Sequence, residues 1–138
     1  MQAESQNTRM DKKDLEFFKA ILLKKREETL KSVEYLKGVL NSTNQEASGD
    51  HSAYSFHMAD QGTDAMEREK AFLFISRDEK YLKQIDSALE RIGNGTYGIC
   101  RVTGKEISKE RLEAVPTTTI SYEAKVKAEK AGRPILDE

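Results

Sequence analysis

Residues 72–95 read FLFISRDEKYLKQIDSALERIGNG, and this stretch decides the fold. Phe72, Ile75, Leu82, Ile85, Leu89 and Ile92 recur at helical steps, and Asp78 stands where one apolar step is missing. That rhythm lays one apolar seam along a helix, of the kind that packs against a second helix. Gly93, Asn94 and Gly95 follow the seam. Glycine just past the last periodic residue stops a helix, because it takes the left-handed conformation without a Cβ clash. Upstream, the helix is expected to begin near Thr63, with Thr63 or Asp60 as its cap.

A second seam lies earlier in the chain. Leu15, Phe18 and Leu22, then Leu30, Val33, Leu36 and Leu40, recur at similar steps, interrupted by Lys24, Lys25 and Arg26. Asp11 or Asp14 can cap its start, where a carboxylate suits the helix dipole. Two helices with one seam each, joined by one connection, predict an antiparallel hairpin over residues 11–92. Its expected pairs are Leu15 with Ile92, Phe18 with Leu89 and Leu22 with Ile85. A charge buried midway, at Asp78, would fix the register at some cost in stability.

Between the seams, residues 41–62 read NSTNQEASGDHSAYSFHMADQG, without Lys or Arg but with Glu46, Asp50 and Asp60. Ser, Asn, Asp and Gly compete with helix for backbone hydrogen bonds, so a loop is expected at the hairpin tip. Residues 1–10 are polar and patternless and read as a flexible tail.

Residues 93–138 are short-period and irregular. The expected order is a strand at 96–100, a turn at 102–105, a helical turn at 108–112, extended chain at 115–120 and a short helix at 122–130, closed by Gly132 and Pro134. So small a unit rarely buries enough core alone and commonly needs a metal or disulfides. The lone Cys100 supplies neither, so the module is expected to lean on the base of the hairpin. The fold class is therefore mainly α: a long helical hairpin, a small α+β C-terminal module and a short terminal helix.

Composition narrows the function. Charged residues make up 34% of the chain, yet 23 Lys and Arg against 24 Asp and Glu leave a net charge of -1. No global field draws such a chain to nucleic acid or membrane. The basic residues of the C-terminal part alternate with acids, which is a mixed solvated face, so no sequence-specific DNA contact is expected. No apolar run approaches ~20 residues, so no membrane span is expected. The N-terminus lacks the apolar core of a secretory signal, which makes the cytoplasm the expected compartment.

Several residue groups invite chemistry. Gly93-Asn94-Gly95-Thr96-Tyr97-Gly98 matches the dinucleotide fingerprint literally, but a helix precedes it where a strand is required, so it reads as helix stop plus turn. His51, His57, Asp50, Asp60 and Asp64 cluster in sequence without a standard ligand spacing, so no metal is assigned to them. Cys100 sits beside Arg101, but no His lies nearby in sequence, and a small buried apolar role is expected. His57 and Asp60 as an acid–base pair find no nucleophile or cofactor motif beside them, so no enzyme is read here and no catalytic residue is named.

The run Tyr97-Gly98-Ile99-Cys100-Arg101-Val102-Thr103-Gly104-Lys105-Glu106-Ile107, followed by Arg111-Leu112-Glu113-Ala114-Val115-Pro116-Thr117, resembles the C-terminal module of the DksA/TraR family. These bacterial regulators pair a helical hairpin with a four-cysteine zinc finger and bind RNA polymerase. The resemblance implies a regulator whose hairpin enters the polymerase secondary channel and alters promoter open complexes, without reading DNA sequence. It places the four zinc positions on Cys100, Thr103, Ser121 and Ala124, so only one cysteine is kept and zinc is expected to be absent. It places one tip aspartate on Asp60 and the other on His57, with Asp64 one turn beyond. Arg77 and Lys125 match positions that help bind the alarmone ppGpp at the polymerase interface, as in the stringent response, while a neighbouring basic position is Gln84. The competing reading is a hairpin adaptor for some other protein, bound by a groove or coiled-coil contact.

Overall fold

The computed structural model describes the backbone of residues 10–49 and 54–135, and the side chains of residues 10–42 and 64–135. The tail expected over residues 1–10 lies, apart from Met10, outside the described residues. The helices are α1 (Lys12–Gly49), α2 (Tyr54–Asn94), α3 (Lys109–Ala114) and α4 (Tyr122–Lys130). Asp11 caps α1, its Oδ1 accepting the Asp14 N–H at 2.9 Å, so one of the helix's orphan donors is satisfied.

The long helices outrun their seams. α1 continues through residues 41–49 and α2 already runs at Tyr54, which overturns the loop expected over residues 41–62 at all but residues 50–53, which lie outside the described residues. Thr63 and Asp60 are therefore interior residues of α2 and not its cap. Gln45, Glu46, Ala47, Met58 and Ala59 are good helix formers. A helix nucleated by its packed part extends cheaply through such residues. The apolar period marked where the helix is packed, not where it ends.

The chain divides into two compact units. In Glu27–Leu82, Val33, Leu40, Ala71 and Ile75 form a buried cluster, with Leu36 and Leu82 packed against it. Two seam residues expected from the sequence are not in it. Phe72 is 58% exposed and Leu30 42% exposed, whereas Ala71 is only 3% exposed. The reason is the alternation of four- and three-residue steps. From Leu82 back through Asp78 and Ile75, the next step of four lands on Ala71, not Phe72. Asp78 itself is buried in the seam, and its Oδ2 accepts the Ser32 hydroxyl at 2.8 Å. A bond to a charged acceptor contributes ~1.5–3 kcal/mol and offsets part of the desolvation of the carboxylate. A slip of one turn would strip Asp78 of this partner, so the pair pins the register.

The other unit joins the chain up to Arg26 with the chain from Lys83 onward. Phe18, Leu22, Ile85 and Ala88 are essentially unexposed here. In the same unit, Arg26 Nε donates to Asp86 at 2.8 Å and links the two long helices there. The C-terminal module packs on this base. The Phe18 ring lies 5.7 Å from that of fully buried Tyr97, and Lys109 reaches Asp14 at 2.6 Å. Cys100, Ile107, Leu112, Ile120 and Ala124 complete the core.

Both expected helix stops hold. Gly95 has φ 82° and Gly132 φ 73°. At the end of α4, Gly132 N–H bonds Glu129 and Arg133 N–H bonds Ala128, the paired closure that a left-handed glycine permits. Ser108 caps α3 and Ser121 caps α4. The expected strand at 96–100 is not present: the described residues contain only an isolated bridge between Ile99 and Glu106. Gly95 and Gly98, both at positive φ, turn the chain too tightly for a ladder.

One glycine has no such duty. Gly38 lies inside α1, and a Cβ added there would meet nothing within 4 Å. Gly38→Ala is expected to stabilise the protein by ~0.5–1 kcal/mol, through a less flexible unfolded chain. Denaturant titration checks this; a loss of stability would mean that the space is filled.

Candidate functional site

The four positions nominated in the C-terminal module do come together. Cys100 Sγ accepts the Ser121 N–H at 3.3 Å and the Thr103 N–H at 3.5 Å. Ser121 Oγ in turn accepts the Ala124 N–H at 3.1 Å, as the cap of α4. Thr103 Oγ1 accepts the Lys105 N–H at 3.2 Å. Cys100 is 1% exposed and Ala124 6% exposed. A chain of hydrogen bonds thus connects the positions where a tetrathiolate site would sit.

These residues do not fit zinc. The site offers one thiol, two hydroxyls already engaged with backbone N–H groups, and a methyl group, whereas structural zinc takes four thiolate or imidazole ligands. No group of three or more His, Cys, Asp or Glu that could hold a metal occurs among the described residues.

The surroundings act on the thiol in opposite directions. Burial disfavours the thiolate, but hydrogen bonds from the Thr103 hydroxyl and from the Ser121, Thr103 and Val102 N–H groups outweigh it, bringing the thiol down to about 6. A pKa depressed on folding adds stability that is complete above the unfolded-state value near 9 and is lost as pH falls through about 6. The stability difference between the parent and Cys100→Ser is therefore expected to grow from pH 6 to pH 9. Denaturation at several pH values measures it, and a pH-independent difference would contradict the thiolate.

The tip residues are placed only in part. His57 and Asp60 belong to α2, and their side chains lie outside the described residues, as do Asp50 and His51. Asp64 is exposed. Arg77 is exposed and stacks its guanidinium 4.9 Å from the centre of the Phe74 ring, while Lys125 is exposed on α4. The fingerprint-like glycines end α2 and begin a turn. No described helix is long and apolar enough to cross a membrane.

Sequence reasoning missed the residues that hold segment 116–120, all of it buried. The Tyr97 hydroxyl donates to Pro116 O at 2.7 Å, and Arg91 donates to Thr117 O at 3.3 Å. Arg101 bonds Thr119 twice, through its backbone N–H at 2.9 Å and its Nε at 3.0 Å. Arg111 Nε donates to Ile120 O at 2.8 Å. The signal was the run Arg111 to Thr117, quoted above for its resemblance alone. Nothing in that run says that an arginine side chain replaces a strand partner.

Two long helices and a small C-terminal module with an incomplete metal-ligand set define a mainly helical protein. Comparison with known proteins narrows this. The family described as "Prokaryotic dksA/traR C4-type zinc finger" matches residues 95–130. The RNA polymerase-binding transcription factor DksA of Caulobacter vibrioides is 34% identical over 130 residues, covering 94% of this chain and 85% of that protein. The uncharacterized protein YteA of Bacillus subtilis is 45% identical over 91 residues, which span 65% of this chain but 38% of that longer protein. The structure of transcription factor DksA2 from Pseudomonas aeruginosa superposes with a TM-score of 0.77 at 32% identity, covering 95% of this chain and 96% of that one. The chain belongs to the DksA/TraR family.

Proposed function

We propose that this protein is a transcription regulator that binds bacterial RNA polymerase through its secondary channel and modulates promoter open complexes with the hairpin tip. The observation that carries this is the likeness along almost the whole chain to the Caulobacter factor, whose name states that it binds RNA polymerase. The near-neutral composition supports a protein partner over DNA. In this reading, the paired long helices reach inward while the C-terminal module stays outside. Asp60, with His57 and Asp64, then meets the cationic or metal-bearing surroundings of the polymerase active centre.

The test is co-purification with core RNA polymerase, followed by in vitro transcription from promoters that form short-lived and long-lived open complexes. Binding with a selective change at the fragile promoters is expected. Absence of binding, or equal effects on all templates, would overturn the proposal.

The same reading gives Arg77 and Lys125 to ppGpp. Arg77→Ala and Lys125→Ala are each expected to leave polymerase binding unchanged and to reduce the extra response to added ppGpp several-fold, through loss of a cation facing phosphate. Unaltered ppGpp responses in both variants would remove these residues from the site.

A further inference from the structure

The family is described by a four-ligand zinc finger, and residues 95–130 match its model, yet the ligand set is lost. We propose that this module is metal-independent, and that a side-chain clamp on segment 116–120 together with the Cys100 sulfur does the joining that a metal would do. The inference holds whether or not the chain binds polymerase.

The hydrogen-bond accounting of this segment carries the proposal. Residues 116–120 are buried but belong to no sheet. Buried carbonyls without partners are costly. Here the carbonyls of Pro116, Thr117, Thr119 and Ile120 take their partners from side chains and from one backbone N–H. Tyr97 serves Pro116, Arg91 serves Thr117, and the Arg101 N–H serves Thr119. Arg111 serves Ile120 through Nε and the Thr118 hydroxyl through a second nitrogen at 3.4 Å. The Thr118 hydroxyl also donates to Ile120 O at 3.1 Å. Arginine suits this task, because its rigid fork keeps its charge and spans neighbouring acceptors.

The second element of the proposal is the sulfur. A metal finger ties two turns by thiolates from each. Here the turn at Cys100–Thr103 and the start of α4 at Ser121 are tied through one sulfur atom, which accepts an N–H from both sides. The Cys100 N–H also bonds Lys105 O at 2.8 Å, and the Gly104 N–H bonds Cys100 O at 2.8 Å, so this turn closes on itself. At the fourth position, Ala124 is buried and carries a methyl group that cannot ligate a metal. Core burial on the Phe18, Leu22, Ile85 and Ala88 base supplies the apolar support that so small a unit lacks alone.

The experiment uses the full-length protein. After expression with added zinc, elemental analysis is expected to find substoichiometric metal, and a strong chelator is expected to leave the thermal unfolding midpoint in place. Arg111→Met keeps the aliphatic stem and removes the donors. It is expected to lower the midpoint by ~6–10 °C and to speed amide exchange across 115–121, with Arg111→Lys only partly restoring it. If Arg111→Met does not fold, Arg101→Lys keeps its backbone bond to Thr119 and reads the same exchange. Near one zinc per chain, or unfolding by the chelator, would overturn the proposal, as would unchanged exchange in the arginine variants.

Discussion

Asp60→Asn is expected to leave the fold and polymerase binding intact and to abolish the effect on promoter complexes. The substitution removes one negative charge and keeps nearly the same shape. Had Asp60 been the N-cap of α2, Asn would have served almost equally well there, and Asp60→Ala would have cost ~1 kcal/mol. But α2 already runs at Tyr54, so Asp60 is not the cap. Asp and Asn have similar helix propensities, so the replacement should change stability by no more than ~0.5 kcal/mol. A large functional effect beside so small a structural one isolates the charge. The measurement pairs polymerase co-purification with in vitro transcription, and output with the variant should return to the level without added protein. Regulation equal to the parent's would show that the tip charge is not the active feature. Loss of binding together with regulation would place Asp60 in the docking surface instead.

The parts of the fold that repeat were legible in sequence, and the parts held by single contacts were not. Leu22 and Ile85 were readable as seam residues because burial on a helix recurs every three or four positions, and both are fully buried. Gly95 and Gly132 were readable because a helix stop has a backbone requirement that glycine meets. The helix ends near residues 49 and 54 were not readable, because no seam accompanies them. Segment 115–120 looked β-prone from Val115, Thr117, Thr118, Thr119 and Ile120. Its backbone is bonded by groups distant in sequence, above all the Arg91 side chain and the Arg101 N–H, and no local pattern encodes that. The four convergent positions of the module were located by resemblance. Their chemistry followed from residue type alone, since Thr, Ser and Ala cannot supply thiolate. What sequence could not supply was the use now made of the remaining sulfur, as an acceptor for two N–H groups.

The second large effect lies in the seam, where two apolar residues of similar appearance in sequence should behave in opposite ways. Leu22 is 0% exposed, whereas Phe72 is 58% exposed. Leu22→Ala removes buried methyl groups and leaves a cavity between packed helices, so a loss of ~3 kcal/mol is expected. That corresponds to a fall of ~9 °C in the unfolding midpoint for a chain of this size. Phe72→Ala gives up a larger side chain, yet most of that chain already faces water, so a change within ~0.5 kcal/mol is expected. Ala71 supplies the converse. It is 3% exposed and packs in the cluster with Val33, Leu40 and Ile75, so Ala71→Leu should overfill the seam and cost ~1–3 kcal/mol. The three variants together decide between two seams. If Phe72→Ala costs as much as Leu22→Ala while Ala71→Leu is harmless, the seam runs through Phe72, as the apolar spacing alone suggested. If the order is the one expected here, the alternation of four and three, with Asp78 as a full member, governs which face of α2 is buried. Size and hydrophobicity then count only at positions that the helical rhythm has already turned inward.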